Sequence, residues 1–457
     1  MKACYGLILA AGEGKRMKSK LPKVLHKVCG KSMIDYIIEA VKGANAKDTV
    51  VVVGHKAEIV KQHLGDKVKT AFQDKQLGTG HAVMCCEEFL SNKEGIVIVL
   101  AGDGPLITKE TISKVFDYHT ENKSSATILT ADAIDPTGLG RIVRDQNGEI
   151  KKIVEHKDAT EEERKVTEVN SSNYCFEIKD LLSAIKKINN NNTQSEYYLT
   201  DVIEILKNEG NKVLAYKTNF NEFMAVNSRD QLATAASVMK ERILNNLMAE
   251  GATIIDPLST YIESEVVIGC DTIVYPGAFI EGKTTIGEDC VIGHNTRILN
   301  SKIGNGIEIQ SSVIVDSEVK DGAKIGPFAY IRPESVIGKN VKIGDFVEIK
   351  KSTIGDGTKI SHLTYVGDSE VGEKCNFGCG TVTVNYDGKN KHKVIVKDRA
   401  FIGCNTNLIA PIIVGEDAYT AAGSTITNNV PDGALAIGRS RDVIKEGWSY
   451  KRALIKK

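Results

Sequence analysis

The chain of 457 residues lacks a net charge of either sign, because Lys+Arg and Asp+Glu both total 59. That balance removes any global electrostatic reason to expect nucleic acid or an anionic membrane as partner. The chain also lacks an apolar run of about 18 residues, so no membrane span is predicted. Its first residues lack the pattern of a signal peptide, since Lys2 precedes only a short apolar run that ends in charged residues. Ten cysteines are present without a single CxxC, the near pairs being Cys85–Cys86 and Cys375–Cys379. Such spacing suits neither a zinc ribbon nor a disulfide framework, and it predicts free thiols in a reducing cytoplasm.

What is present divides into two grammars. Residues 1–227 alternate apolar strand-like runs, "YGLILA" (5–10), "TVVVVG" (49–54), "GIVIVLAGD" (95–103) and "ATILTA" (126–131), with amphipathic segments such as "MIDYIIEAVKGA" (33–44). Buried strands alternating with helices predict a Rossmann-like α/β domain with a mostly parallel sheet. Residues 228–250 read as one linker helix, with Leu232, Ala235, Met239, Ile243 and Leu247 on one face. Over 251–457 the pattern changes: an Ile or Val followed by Gly recurs twelve times between Ile268 and Gly415, many of the copies six residues or a multiple of six apart. That period predicts a hexapeptide β-helix, each strand pointing a branched aliphatic inward and the following glycine permitting the corner. Between Gly378 and Gly403 the repeat is broken by "TVTVNYDGKNKHKVIVKD". Insertions in solenoids tend to loop out on the functional face, so a second site is expected there.

The chemistry of the first half starts at "LAAGEGKRM" (9–17), where glycines follow the first strand and let backbone N–H groups approach a phosphate. Arg16 and Lys23 can neutralise phosphate charge. The third glycine of a dinucleotide fingerprint is missing, and so is the lysine spacing of a P-loop. Asp103 closes an apolar strand at the end where open α/β sheets bind ligands, and a carboxylate there suits Mg²⁺. "QLGTGHA" (76–82) and "PTGLGRIV" (136–143) are further glycine-rich turns. Together they point to a nucleotide-sugar site.

LAAGxGxRM followed by LPK resembles the signature of sugar-nucleotide pyrophosphorylases. The whole chain is similar to the bacterial bifunctional N-acetylglucosamine-1-phosphate uridyltransferase / glucosamine-1-phosphate N-acetyltransferase family. The likeness is carried by "LPKVLH", "QLGTGHA", "IVEHKDAT", "HLTYVGD", "CNFGCGT", "VNYDGKNKHKV", "AAGSTIT" and "KEGW". The resemblance implies an α/β nucleotidyltransferase domain followed by a left-handed parallel β-helix acetyltransferase domain. It implies acetyl transfer from acetyl-CoA to glucosamine-1-phosphate, then uridylyl transfer from UTP, giving UDP-N-acetylglucosamine for cell-wall precursors. It further implies a homotrimer built through the β-helix, with acetyltransferase sites between chains.

Carried over residue by residue, the resemblance assigns Leu9, Ala10, Gly12 and Gly14 to backbone contacts with the nucleotide, and Arg16 and Lys23 to phosphates. Gln73, Gly78 and Thr79 are expected at the uracil, Asp103 and Asn227 at Mg²⁺, and Gly140, Glu155, Asn170 and Asn227 at the sugar. An aromatic is common in the family at position 101, where this chain has Ala101.

Acetyl transfer to an amine needs a proton acceptor, and histidine, with an ordinary pKa of about 6.5, is the natural base. Of His294, His362 and His392, the resemblance selects His362 as base and Glu348 as the carboxylate that orients its ring. Arg332, Lys350, Tyr365, Asn376 and Tyr386 are then expected around glucosamine-1-phosphate. Cys379, Asn385, Tyr386, Cys404, Ala422 and Arg439 are expected around acetyl-CoA. Cys379 stands where alanine is usual, and Cys404 where serine is usual. An acetyl-cysteine route through Cys404 is an alternative, testable by trapping the acylated thiol. Three rival readings are a single-activity pyrophosphorylase with a regulatory or assembly β-helix, a metal-dependent β-helix hydratase, and a non-enzymatic exchange-factor subunit. The spacing of the three histidines argues against the second, and Arg16, Lys23 and Asp103 against the third.

Overall fold

The computed structural model describes residues 2–452, which fall into two compact units divided between Lys240 and Glu241. The division lies within a single helix, Arg229–Ala249. Among the described residues, no helix is long and apolar enough to cross a membrane.

The first unit is built on a nine-stranded sheet. Its path runs 213–217, 126–132, 168–177, 96–101, 4–10, 48–53, 69–72. The central strand Cys4–Ala10 pairs in parallel with Asp48–Val53 on one side and Ile96–Ala101 on the other. These strands are apolar on both faces because helices cover both sides, and Leu7, Ile8, Val50–Val53 and Ile96–Val99 are all buried. Helix starts are read from their caps: Ser32 Oγ accepts from the Asp35 amide at the head of Met33–Gly43, and Thr108 does the same before Lys109–Glu121. The parallel expectation holds apart from Glu168–Glu177, which runs antiparallel to both its neighbours on this path, and from Arg141–Arg144 and Ile150–Val154, which pair antiparallel beside it.

The strand order places the site. The chain leaves Cys4–Ala10 toward 48–53 and 69–72, then returns to 96–101 on the opposite side. The loops after Ala10 and Ala101 therefore diverge at a topological switch point, opening a crevice at the carboxyl ends of the strands.

The second unit is the left-handed parallel β-helix, formed by three parallel sheets of 11, 10 and 9 strands. Ile262, Ile268, Val274, Ile280, Ile286 and Ile292, at strict six-residue spacing, are each no more than 3% exposed. They make an apolar stack continuous with Leu244, Leu247 and Ile254. The corner role of glycine is geometric: a Cβ on Gly269 would lie 2.7 Å from the carbonyl carbon of Gly287 in the next coil. Coils pair in register, Ile343 with Ile360 and Ile360 with Phe377. The next step is longer, Phe377 pairing with Ile402, because the expected insertion loops out here.

Candidate active sites

In the first unit, a cavity of about 810 Å³ opens at the switch point. Leu9 reaches it from the end of the first strand, Gly12, Arg16 and Lys23 from the loop that follows, and Asp103 from the loop after Ile96–Ala101. Gln73, Gly78, Thr79, Glu155, Asn170 and Asn227 line it as well. Ala10 faces the opposite core layer, as strand alternation requires. Gly14 sits at φ 64°, and a Cβ there would come within 2.7 Å of Lys23 Cβ. The glycine thus lets the loop fold down against Lys23. Gly140 lies beside Asn170 and Glu155, a Cβ there falling 3.5 Å from Asn170 Cβ and 3.6 Å from Glu155 Oε1.

Lys23 is the electrostatic centre of this crevice. Its ammonium donates to the Asp103 carboxylate and, at 3.1 Å, to Asn227 Oδ1. Gln73 is buried, and its amide donates to the Gly78 carbonyl at 3.1 Å, fixing the second glycine turn. Burial, with Asp158 and Asp201 nearby, pushes the Glu155 carboxyl above the ordinary range. Asp201 itself is pushed up to about 6 by burial and by Glu204 and Asp158. Sequence reasoning missed Gln194, Glu196 and Tyr198, which also line the cavity. Their segment reads as an Asn-rich polar run, "NNNNTQSEYY", with no repeat or glycine turn to single it out.

In the β-helix, the expected residues fall into two groups. One gathers around Asp368. Lys350 Nζ donates to it at 2.8 Å, and Asn385 Nδ2 donates to it as well. Against the upward push of partial burial, these bonds hold Asp368 below the usual carboxylate range. Tyr365 Oη lies 3.5 Å from Asn385 Nδ2. Lys391, from the inserted loop, is pulled below the usual lysine range chiefly by like-charged Lys350, with Arg332 adding to the effect. Asp368 and Lys391 were not singled out from sequence. Tyr386 is exposed on the same loop, its hydroxyl donating to the Gly388 carbonyl at 2.7 Å.

The other group is a column. Asp345 pairs in register with His362. Continuing the pairings Ile360–Phe377, Phe377–Ile402 and Ile402–Thr420 puts Cys379, Cys404 and Ala422 at the equivalent position of successive coils. Arg439 follows, its Cδ 3.6 Å from where a Cβ on Gly423 would lie. Asn376 lies three residues before Cys379, paired with Lys359 and Phe401.

One expectation is corrected within the chain. Glu348 does not orient His362: its carboxylate accepts from Arg332 Nη1 at 2.7 Å. Register explains this, because Glu348 pairs with Tyr365 in a different sheet of the prism from His362. The ring of His362 instead bonds through Nδ1 to Asp345 Oδ1 at 2.6 Å.

The nucleotidyl transferase family profile matches residues 5–240, the bacterial transferase hexapeptide profile 265–300, and the GMPPB C-terminal domain profile 316–430. A bifunctional protein GlmU of Clostridium botulinum (strain Langeland) is 58% identical over 452 residues, 99% of either chain. The protein of the same name from Acetivibrio thermocellus is 57% identical over 457 residues, covering 100% of this chain and 99% of its own. That of Clostridium acetobutylicum is 55% identical over 451 residues, covering 98% and 99%. Likeness of this degree runs through the crevice-bearing unit and the β-helix alike, so the chain belongs to the bifunctional GlmU family, joining a uridyltransferase to a glucosamine-1-phosphate N-acetyltransferase.

Proposed function

We propose that the crevice around Lys23 carries the uridylyl transfer and that the β-helix groups around His362 and Asp368 carry the acetyl transfer. The observation behind the first assignment is the Lys23–Asp103–Asn227 cluster at the switch point. The nucleophile is an oxygen of N-acetylglucosamine-1-phosphate, already anionic at neutral pH, so no general base is needed. It attacks the α-phosphorus of UTP, a P–O bond forms, the bond to the β-phosphate breaks, and pyrophosphate leaves. The obstacle is charge repulsion and alignment, which Arg16 and Lys23 relieve by neutralising and positioning the phosphates.

Asp103 and Asn227 fit a hard divalent cation, because they present two oxygens that already hold an ammonium group between them. Among the described residues there is no cluster of three His, Cys, Asp or Glu to enclose a metal. That suits Mg²⁺, which is usually held by one or two protein oxygens with substrate phosphates and water. Bound there, Mg²⁺ supplies charge neutralisation across the phosphates. Gln73, Gly78 and Thr79 take the base side, and Gly140, Glu155 and Asn170 the acetamido sugar.

In the β-helix, Arg332, Lys350 and Lys391 supply positive charge for the sugar phosphate, with Tyr365, Asn376 and Tyr386 around it. Cys379, Asn385, Cys404, Ala422 and Arg439 are assigned to acetyl-CoA, a reading supported by three of them continuing the column of His362. His362 takes a proton from the substrate ammonium. The amine attacks the thioester carbonyl, the C–N bond forms, the C–S bond breaks, and the nitrogen's second proton passes to the departing sulfur, so that coenzyme A leaves as its thiol. The chain acts in the cytoplasm, a reading supported by its ten free thiols. Product masses, followed while UTP, acetyl-CoA, glucosamine-1-phosphate and Mg²⁺ are omitted in turn, test the scheme. A chelator is expected to stop uridylyl transfer and leave acetyl transfer intact. Uridylyl transfer that persists without a divalent cation overturns the metal assignment.

The assembly is a homotrimer with acetyl-transfer sites completed between chains. Three residues after Ile325, Ile343 and Ile360, the corners carry Phe328, Phe346 and Leu363, each 58–59% exposed. All three have positive φ, a costly conformation for bulky side chains. Phe328 and Phe346 stack with ring centroids 5.4 Å apart. Phe346 and Leu363 directly follow Asp345 and His362, so the apolar corner runs beside the catalytic column. Another copy of the chain covers such a strip and closes the site. Phe328→Asp is expected to break the trimer in sedimentation and to lower acetyl transfer at least about tenfold, uridylyl transfer being spared. A wild-type monomer with full acetyl transfer would contradict the assembly.

A further inference from the structure

We propose that Asp345 is the positioning residue of the acetyl-transfer base: its carboxylate holds the Nδ1–H of His362 and so leaves Nε2 free to take the proton. The inference rests on the reading of His362 as base, and it names a residue that the sequence motifs did not.

The geometry is a consequence of coil register. Asp345 ends one strand, Lys342–Asp345, and His362 ends the strand paired with it in the next coil, Lys359–His362. Two side chains at equivalent positions of adjacent parallel strands stand one strand spacing apart, about 4.8 Å. That is close enough for a direct bond, and Asp345 Oδ1 lies 2.6 Å from His362 Nδ1. An ionised carboxylate can only accept, so the proton of this bond is on Nδ1. The Asp345 carboxyl is held below its ordinary range first by this bond, with Lys342 adding to it, which keeps it ionised. In the neutral ring, Nε2 then carries the lone pair. Asp345 also lies behind the ring: Cys379, Cys404 and Ala422, the positions read as acetyl-CoA contacts, continue the column on the opposite side of His362. The carboxylate can therefore orient the base without occupying the thioester's place. Glu348, the other carboxylate nearby in sequence, is engaged by Arg332.

A purely structural Asp345 and a positioning Asp345 predict different kinetics. If it acts through His362, Asp345→Ala lowers kcat for acetyl transfer about tenfold to a hundredfold with little change in KM for glucosamine-1-phosphate. Asp345→Asn, of the same size, does not rescue the rate, because its amide can turn and donate to Nδ1, which leaves the proton on Nε2; Asp345→Glu, which can only accept, recovers part of the loss. In a His362→Ala background, Asp345→Ala has no further effect, because there is no ring left to position. Uridylyl transfer by the same chains, and the melting of the β-helix by circular dichroism, report whether folding is intact.

The outcomes separate cleanly. If His362→Ala keeps wild-type acetyl transfer, the reading of His362 fails and the proposal with it. If His362→Ala is inactive but Asp345→Ala is not, or if Asp345→Ala costs as much with His362 absent as with it present, the proposal alone is overturned.

Discussion

Lys23→Ala is expected to lower kcat/KM for uridylyl transfer by about 10²–10³-fold, the scale of losing one charge-stabilising group at a reacting phosphate. Acetyl transfer by the same chain should change by no more than about twofold, since the two activities lie in separate compact units. The size of the effect follows from the place of the side chain. Lys23 is 14% exposed, as is its partner Asp103, and its ammonium joins the loop after the first strand to Asp103 and to Asn227. On the proposed reading, truncation takes away a cation that faces the phosphates, and in the free chain it also leaves Asp103 without its ammonium partner. Some loss of fold stability is therefore expected alongside the loss of rate, because a part-buried carboxylate without its partner is costly. Lys23→Arg separates the two effects. It keeps the charge and the pairing with Asp103, but replaces a compact ammonium with a planar fork against the tight Gly14 turn. It should preserve the melting temperature while recovering only part of the rate. Equal loss of both activities in Lys23→Ala would mean global damage and remove the assignment.

Sequence patterns reveal the scaffold more readily than the partners within it. Strands such as Asp48–Val53 are legible because burial on both faces demands an unbroken apolar run. Glu168–Glu177 escapes the same reading, since its "NSSN" centre is polar and its pairing shifts register between Asn170 and Tyr174. That irregularity is functional in placement: Asn170 lines the cavity just where the ladder slips. The Ile-Gly period likewise discloses the β-helix, because every inward side chain meets the same steric demand. Which residues stack above one another is a different matter. It depends on the exact length of each coil, and coil length varies, most of all where Phe377 pairs with Ile402. Asp345 and His362 thus look unrelated along the chain and become neighbours only once register is known. Glu348, three residues from Asp345, occupies a different face of the prism, where its neighbour in the next coil is Tyr365.

His362→Ala is expected to lower acetyl transfer by about 10²–10⁴-fold, the range for removing a positioned general base. The scaffold should tolerate the change. Two residues earlier, Ile360 carries the inward packing and is fully buried, whereas His362 is 57% exposed on its side chain. Removing the ring deletes the bond to Asp345 and leaves the apolar stack untouched. Asp345 remains partly exposed to water, so its unpaired carboxylate costs little. The rate loss is limited by what survives: on the proposed reading Lys350 and its neighbours still hold the substrate phosphate, and the thioester is intrinsically reactive. The bifunctional chain supplies its own control. With glucosamine-1-phosphate, acetyl-CoA and UTP, the variant should release almost no UDP-N-acetylglucosamine. Adding N-acetylglucosamine-1-phosphate should restore uridylyl transfer to the wild-type rate, because the crevice around Lys23 does not depend on this histidine. If the added sugar phosphate restores nothing, the substitution has damaged the whole chain. If acetyl transfer proceeds unchanged without the ring, the base lies elsewhere on the β-helix.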